Sequence, residues 1–121
     1  MRAARAVLLL DAVGCGATAL AIVALPSGFA VVDASLRTRR PVAIALTGTA
    51  VVCALGARDA APTRGDLAAA AISNAAWVAV CLAALPHQRS VMGKSLVLGT
   101  AVLDAAAGGL QWLLAARAAS S

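Results

Sequence analysis

The chain has 121 residues, of which 62% are hydrophobic and only 12% are charged, and its mean hydropathy is +0.91. A soluble domain of this length could hardly bury so much apolar surface, so the composition predicts an integral membrane protein. The net charge of +5 comes with two Trp, one Phe and no Tyr, which leaves nucleic acid without a stacking platform. We therefore expect the basic residues to contact anionic membrane lipid.

Four apolar runs predict four membrane-spanning helices, at residues 6–25, 42–57, 67–85 and 95–116. Each is near the length of about 20 residues that crosses the hydrocarbon core of a bilayer. The second run is short, and we expect Pro41 to occupy the first turn of its helix. The predicted fold class is all-α: one four-helix transmembrane bundle over residues 1–121, integral to the cell (inner) membrane with several passes.

The charges in the connections between the runs do not decide the orientation in the membrane. The N-terminus, second connection and C-terminus carry five Lys and Arg residues, and the first and third connections carry another five. Because cytoplasmic loops are normally richer in these residues, the tie leaves both orientations open. The first connection has the densest cluster, at Arg37, Arg39 and Arg40, and its apolar beginning at 26–33 is expected to lie at the membrane interface.

An acidic residue, Asp104, lies near the middle of the fourth run. A charged carboxylate there costs about 2.5–3.5 kcal/mol even on lenient insertion scales, so the residue is a functional-site candidate. Thr100 lies four residues before Asp104, Gly108 and Gln111 lie four and seven residues after it, and this helical spacing places them on one face that Trp112 borders. The fourth helix is therefore predicted to carry a polar stripe.

The first and third runs carry similar polar stripes. In each, the spacing of three and four residues places the side chains on one helix face. The three stripes together predict a shared polar interior, although hydrogen bonding between helices explains Thr18, Asn74 and Gln111 equally well. The stripes are Asp11, Cys15 and Thr18 in the first run and Asn74, Trp77 and Cys81 in the third.

Small residues recur every fourth position in the third run, at Ala71, Ala75, Ala79 and Ala83. Such small-xxx-small patterns let helix backbones approach closely in membranes. We therefore expect this alanine stripe to form a helix–helix contact.

Metal and cofactor chemistry is not expected. Cys15, Cys53 and Cys81 lie in different runs without CxxC spacing, so they are predicted to be buried thiols rather than disulfide or zinc ligands. The single His87 cannot provide bis-histidine haem ligation, and no Gly-rich phosphate-binding loop is present.

The remaining chemistry favours a proton-initiated cyclisation. A desolvated, protonated Asp104 could protonate the terminal alkene or epoxide of a lipophilic isoprenoid substrate dissolved in the bilayer, with Asp11 as the alternative acid. The two Trp side chains could face the carbocation, and Asn74 or Gln111 could orient the acid or take part in the final deprotonation. The predicted substrate-binding residues are Asn74, Trp77, Gln111, Trp112, Thr100 and Gly108.

The pattern resembles the very small bacterial membrane terpene cyclases of drimane and indolosesquiterpene pathways. The likeness lies in the size, the four spans, the acidic residues of the first and fourth helices, the segment Asn74–Trp77, and Asp104 followed by Gly108–Trp112. This resemblance implies a cyclase without metal that acts on a farnesyl-bearing substrate, with its catalytic acid at Asp104 or Asp11.

Two other hypotheses remain. Small multidrug resistance transporters are similar in length, in having four spans and in a carboxylate of the first helix, where this chain has Asp11. That family uses Glu and nearby aromatic residues, whereas this chain contains neither Glu nor Tyr. The other is an accessory subunit of a membrane complex, in which Asp104 pairs with a partner's residue. A homo-oligomer is compatible with each of the three functions.

Overall fold

The computed structural model describes residues 2–24, 36–58, 61–88 and 90–120, and within these ranges it is helical without strands. The helices are α1 (Arg2–Ala24), α2 (Leu36–Gly56), α3 (Arg64–Ala84) and α4 (Val91–Ser120), with a short 3-10 helix at Leu85–His87. The predicted all-α class is thereby confirmed. The interfacial segment predicted at 26–33 lies outside the described residues.

Three of the helices match the predicted spans in length and hydropathy. α1, α4 up to Ala118 and α3 with its short 3-10 extension are long and apolar enough to cross a membrane. The apolar part of α2 is shorter and covers Arg40–Gly56, close to the predicted second run. α2 itself begins earlier, at Leu36, so the expectation that Pro41 occupies the first turn is wrong. Pro41 lies in the second turn, so α2 lacks the helical hydrogen bond that a backbone N–H would make at this position.

Contacts along the helices show that consecutive helices run antiparallel. Arg5 Nε near the start of α1 donates to the Ala57 carbonyl after the end of α2, at 3.0 Å. Between α3 and α4, Cys81 shares a buried cluster with Val97, and Leu67 shares the other with Ala115. The start of α1 and the end of α4 therefore lie at the same end of the bundle as the start of α3.

A capping box starts α3. Thr63 Oγ1 accepts a hydrogen bond from the Asp66 backbone N–H at 3.1 Å, and Asp66 Oδ2 accepts one from the Thr63 N–H at 2.8 Å. Such caps stabilise a helix by about 1 kcal/mol. Gly56 permits the tight turn before it, because a Cβ there would lie 3.0 Å from Asp66 Cβ.

The interior consists of two apolar clusters with a polar layer between them. The polar layer is formed by Asp11, Asn74 and Gln111, which are all buried. Each of its residues lies in sequence between members of the two clusters, so the layer separates them along the bundle axis. One cluster contains Cys15, Ala19, Ile22, Ala43, Leu46, Trp77, Cys81, Val97 and Ala101, and the other Ala4, Leu8, Cys53, Ala57, Leu67, Ala70 and Ala115.

The predicted alanine stripe of α3 packs only at one end. Ala71 is buried, but Ala75, Ala79 and Ala83 are exposed on the outer surface of the bundle. An α-helix advances about 100° per residue, so a strict four-residue repeat rotates by about 40° at each step. Three steps carry the stripe about 120° away from the buried face, which explains why the expected helix contact is wrong beyond Ala71.

The close approach at Gly108 makes a testable prediction. We expect Gly108→Ala to lower the free energy of unfolding by about 1 kcal/mol, because the new methyl group would press on Asn74, whose side chain is fixed in the polar layer. Thermal unfolding in detergent micelles measures this. The neighbouring Gly109→Ala is the matched control, since a Cβ there meets nothing within 4 Å. Equal stability of the two variants would contradict the close packing at this point.

Candidate functional site

Asp11 is the acceptor at the centre of the polar layer. It is 8% exposed, and its Oδ2 accepts hydrogen bonds from Asn74 Nδ2 at 2.6 Å and Gln111 Nε2 at 2.7 Å. Two buried thiols complete its surroundings: Cys53 Sγ donates to Oδ2 at 3.3 Å and Cys15 Sγ to Oδ1 at 3.4 Å. All four helices thus supply a group to this one carboxyl.

The donors around Asp11 are neutral and unevenly distributed. Oδ2 receives three of the four hydrogen bonds, whereas Oδ1 receives only the weak donor of Cys15. Asn74 Nδ2 also donates to Gln111 Oε1 at 2.9 Å, which links the two amides. Asn74 Oδ1 is buried and has no hydrogen-bond partner in the described part of the chain. The arrangement fixes Asp11 in place. Its Oδ1 atom can still accept another hydrogen bond.

Asp104 lies in a different setting from Asp11. It is half-buried. Its carboxyl forms no hydrogen bond of good geometry with the residues that the structure describes. Its side chain lines two grooves, one on each side of α4. The Asp104 carboxyl is therefore accessible to a molecule bound in either groove.

The first of these grooves lies between α1 and α4 and is called the α1/α4 groove. Its volume is about 440 Å³, within the range of about 300–1,000 Å³ that holds small ligands. Asp11 and Asp104 both line it, so the two acids face one cavity. The other lining residues are mostly apolar: Val7, Leu10, Gly14, Cys15, Thr18, Leu46, Thr100, Leu103, Ala106, Ala107 and Leu110.

The second groove lies between α3 and α4 and is called the α3/α4 groove. It measures about 500 Å³ and is lined by small and apolar side chains together with Asp104 and Trp112. Trp112 is 57% exposed, so its ring lies on the outer surface beside the groove. The remaining lining residues are Ala71, Ile72, Ala75, Val78, Ala105, Gly108 and Gly109.

Trp77 is buried next to Asp104. Its side chain belongs to the same apolar cluster as Ala101, which lies one turn before Asp104 on α4. The indole N–H has no hydrogen-bond partner of good geometry among the described residues, yet it is near enough to the Asp104 carboxyl to interact with it. Trp77 thus offers Asp104 an unused donor.

The predicted site residues fall into two groups. Asp11, Asn74 and Gln111 form the polar layer in the interior. The grooves on the surface of α4 are lined by Thr100, Asp104, Gly108 and Trp112. The sequence suggested Asp104 as the acid to explain, but Asp11 is the more buried of the two. The α1/α4 groove is the cavity that both acids line.

One member of the site was not expected there. The sequence predicts that Cys53 of α2 is a small buried thiol and does not place it among the site residues. Its buried thiol donates directly to Asp11. The sequence holds no signal for this contact beyond the small size of Cys53, since the pairing depends on the register between α1 and α2.

Comparison of this chain with protein families, curated proteins and solved structures finds no match. The fold and the site alone therefore define its class. It is a helical bundle of membrane-protein composition, with a carboxyl fixed in its interior and a second carboxyl on its outward-facing grooves.

Proposed function

We propose that this protein is a terpene cyclase of the inner membrane that uses Asp104 as a general acid on a farnesyl-bearing, lipophilic substrate. One observation carries the proposal. The Asp104 carboxyl lies in a largely apolar groove that is also lined by Asp11, whose carboxyl is fixed by hydrogen bonds. Such a groove is open at the side of the bundle, where a substrate dissolved in the bilayer would enter. The function agrees with the resemblance of the sequence to small membrane terpene cyclases.

The environments of the two acids suit two different roles. We propose that Asp104, which has no hydrogen bond of good geometry within the described residues, rests in the apolar groove in its protonated, neutral form. Asp11 accepts hydrogen bonds from two amides and two thiols, and the proposed reaction uses it as the final proton acceptor. Pairs of acids in contrasting surroundings are a recurrent basis for acid and base assignments.

The proposed reaction is a proton-balanced isomerisation. The Asp104 O–H adds its proton to the terminal alkene, which leaves a tertiary carbocation; with an epoxide, the proton goes to the oxygen and the C–O bond breaks. Internal double bonds attack in turn and close the rings. Asp11 accepts the proton that the last cation releases. It then gives up this proton to water, and Asp104 takes up another, so the cycle consumes no net proton.

The spacing of the acids fits this direction of reaction. Asp11 bonds to Gln111, seven residues after Asp104 on α4, and to Asn74, which faces Gly108, so the Asp11 carboxyl lies further along α4 than Asp104. The positive charge would therefore form near Asp104 and move toward Asp11, whose negative charge attracts it.

A reconstitution assay tests the proposed function. Purified protein in liposomes would be incubated with farnesyl acetate and with its terminal epoxide, and products would be identified by gas chromatography with mass spectrometry. We expect cyclised isomers of the probe, absent from empty liposomes. Among the described residues no three His, Cys, Asp or Glu side chains are grouped as a metal site requires, so EDTA should leave the rate unchanged. A rate that EDTA abolishes would contradict the proposed chemistry.

Proton-coupled transport is the second candidate, and the neutral donors around Asp11 favour it. A carboxyl without a cationic partner among its donors could exchange a proton for a lipophilic cation. Proton release from the liposomes on addition of tetraphenylphosphonium distinguishes the two functions. The cyclase requires none; saturable release that disappears in Asp11→Asn but persists in Asp104→Asn would replace the cyclase with a transporter. Neither release nor cyclised product would favour an accessory subunit.

A further inference from the structure

We propose that Trp77 is a positioning residue for Asp104, whose carboxylate it stabilises through its indole N–H after the acid has given up its proton. The catalytic consequence rests on the proposed cyclase function, whereas the contact itself does not. The role differs from the one expected from the sequence, in which the ring of Trp77 faced the carbocation.

The register between α3 and α4 places the two side chains opposite each other. Asn74 faces Gly108, where a Cβ would come within 3.1 Å of Asn74 Cβ. Since the helices are antiparallel, moving three residues forward on α3 and four backward on α4 leads from this contact to Trp77 and Asp104. Val78, next to Trp77, lines the α3/α4 groove together with Asp104, which is consistent with this register.

The indole N–H is the feature that requires an explanation. Trp77 is only 6% exposed, and its Nε1 is buried without a partner of good geometry within the described residues. A buried donor left unpaired costs about 1–3 kcal/mol, and buried Trp N–H groups usually find an acceptor. The group near this donor that gains acceptor strength during the proposed reaction is the Asp104 carboxyl.

The chemistry makes such a donor useful at one moment of the reaction. A protonated Asp104 is a weaker acceptor than a carboxylate, and in the structure the N–H has no hydrogen-bond partner of good geometry within the described residues. Transfer of the proton to the substrate creates a negative charge on Asp104, and the N–H can close onto it without displacing water. A donor aimed at the place where charge develops lowers the barrier, because it strengthens in the transition state.

Other ionisable groups surround this pair and have to be separated from it. α1 contributes Asp11 and Cys15, α2 contributes Cys53, and α3 contributes Cys81, which is one turn from Trp77. The experiment therefore has to assign any titration to Asp104 itself.

Fluorescence tests the contact independently of catalysis. In a Trp112→Phe background Trp77 is the only Trp of the chain, and its emission in detergent micelles should change in one pH-dependent step as Asp104 loses its proton. We expect Asp104→Asn to abolish this step and Asp11→Asn to retain it. A step that persists in Asp104→Asn, or no step in the Trp112→Phe protein, would overturn the proposal.

Turnover tests the catalytic consequence. Trp77→Phe keeps an aromatic ring and removes the N–H, so we expect kcat to fall about 10- to 100-fold with little change in KM. Loss of the unpaired donor should stabilise the variant and the cavity left by the smaller ring should destabilise it, so turnover is compared at a temperature at which both proteins are folded. An unchanged kcat in Trp77→Phe would overturn the positioning role. If the fluorescence step follows Asp104 but no probe is cyclised, the proposed function fails and the contact stands.

Discussion

Asp104→Asn is expected to lower the rate of product formation by about 100-fold or more, the usual scale for loss of a general acid. Asn has nearly the same shape and polarity as Asp but no acidic proton, so the substitution removes the proton that starts the reaction. The groove itself should remain, because the carboxyl lines it without a hydrogen bond of good geometry to the described residues. Initial rates with the epoxide probe in liposomes measure the effect.

Two controls separate catalysis from folding in this experiment. Asp104→Asn should unfold at nearly the wild-type temperature, since Asp104 lies outside the polar layer and is half-buried. Asp104→Glu retains an acid one methylene further out, so it should keep more activity than Asp104→Asn. Full turnover in Asp104→Asn would exclude Asp104 as the acid and leave Asp11 as the remaining carboxyl of the α1/α4 groove.

Asp11→Leu should have the largest effect on stability, a loss of about 2 kcal/mol or more in the free energy of unfolding. The substitution leaves the buried amide donors of Asn74 and Gln111 without the acceptor that they share, and each unpaired donor costs about 1–3 kcal/mol. The loss is larger than for an average hydrogen bond between membrane helices, about 0.6 kcal/mol, because one acceptor serves several helices. Unfolding by SDS titration from mild detergent micelles measures it.

Asp11→Asn is the matched control for this prediction. Its side-chain oxygen can accept from Asn74 and Gln111 as Asp11 Oδ2 does, so most of the stability should be retained while the negative charge is lost. Turnover in Asp11→Asn should nevertheless fall, because the growing cation loses its counter-charge and its final base. Equal stability of the Leu and Asn variants would show that the polar layer does not hold the helices together.

The two acids are therefore expected to differ in how much each contributes to folding stability and how much to turnover. Asp11 is fixed by groups from all four helices, which ties its position to the assembly of the bundle. Asp104 stands on the surface of α4, where it can meet a ligand without any change in the core. Substitutions at Asp11 should consequently affect both folding and turnover, whereas those at Asp104 should affect turnover almost alone.

Much of the fold follows from the sequence because it depends on local hydropathy. Long apolar runs must become helices in a membrane, since every backbone N–H and C=O group needs an internal partner there. The four predicted runs accordingly coincide with the four helices to within a few residues at most ends. The stripes of Asp11 and Asn74 were also predictable, because side chains three and four residues apart share a helix face by geometry alone.

Only the tertiary structure decided how these faces meet. Position along a run suggested Asp104 as the buried acid, but burial depends on which neighbouring helix covers the residue, and Asp11 is the acid that all four helices enclose. The contact of Cys53 with Asp11 and the register that brings Trp77 to Asp104 likewise depend on helix rotation and on the axial offset between helices. Shifts of about one turn in either would separate these groups, and hydropathy does not encode shifts of that size.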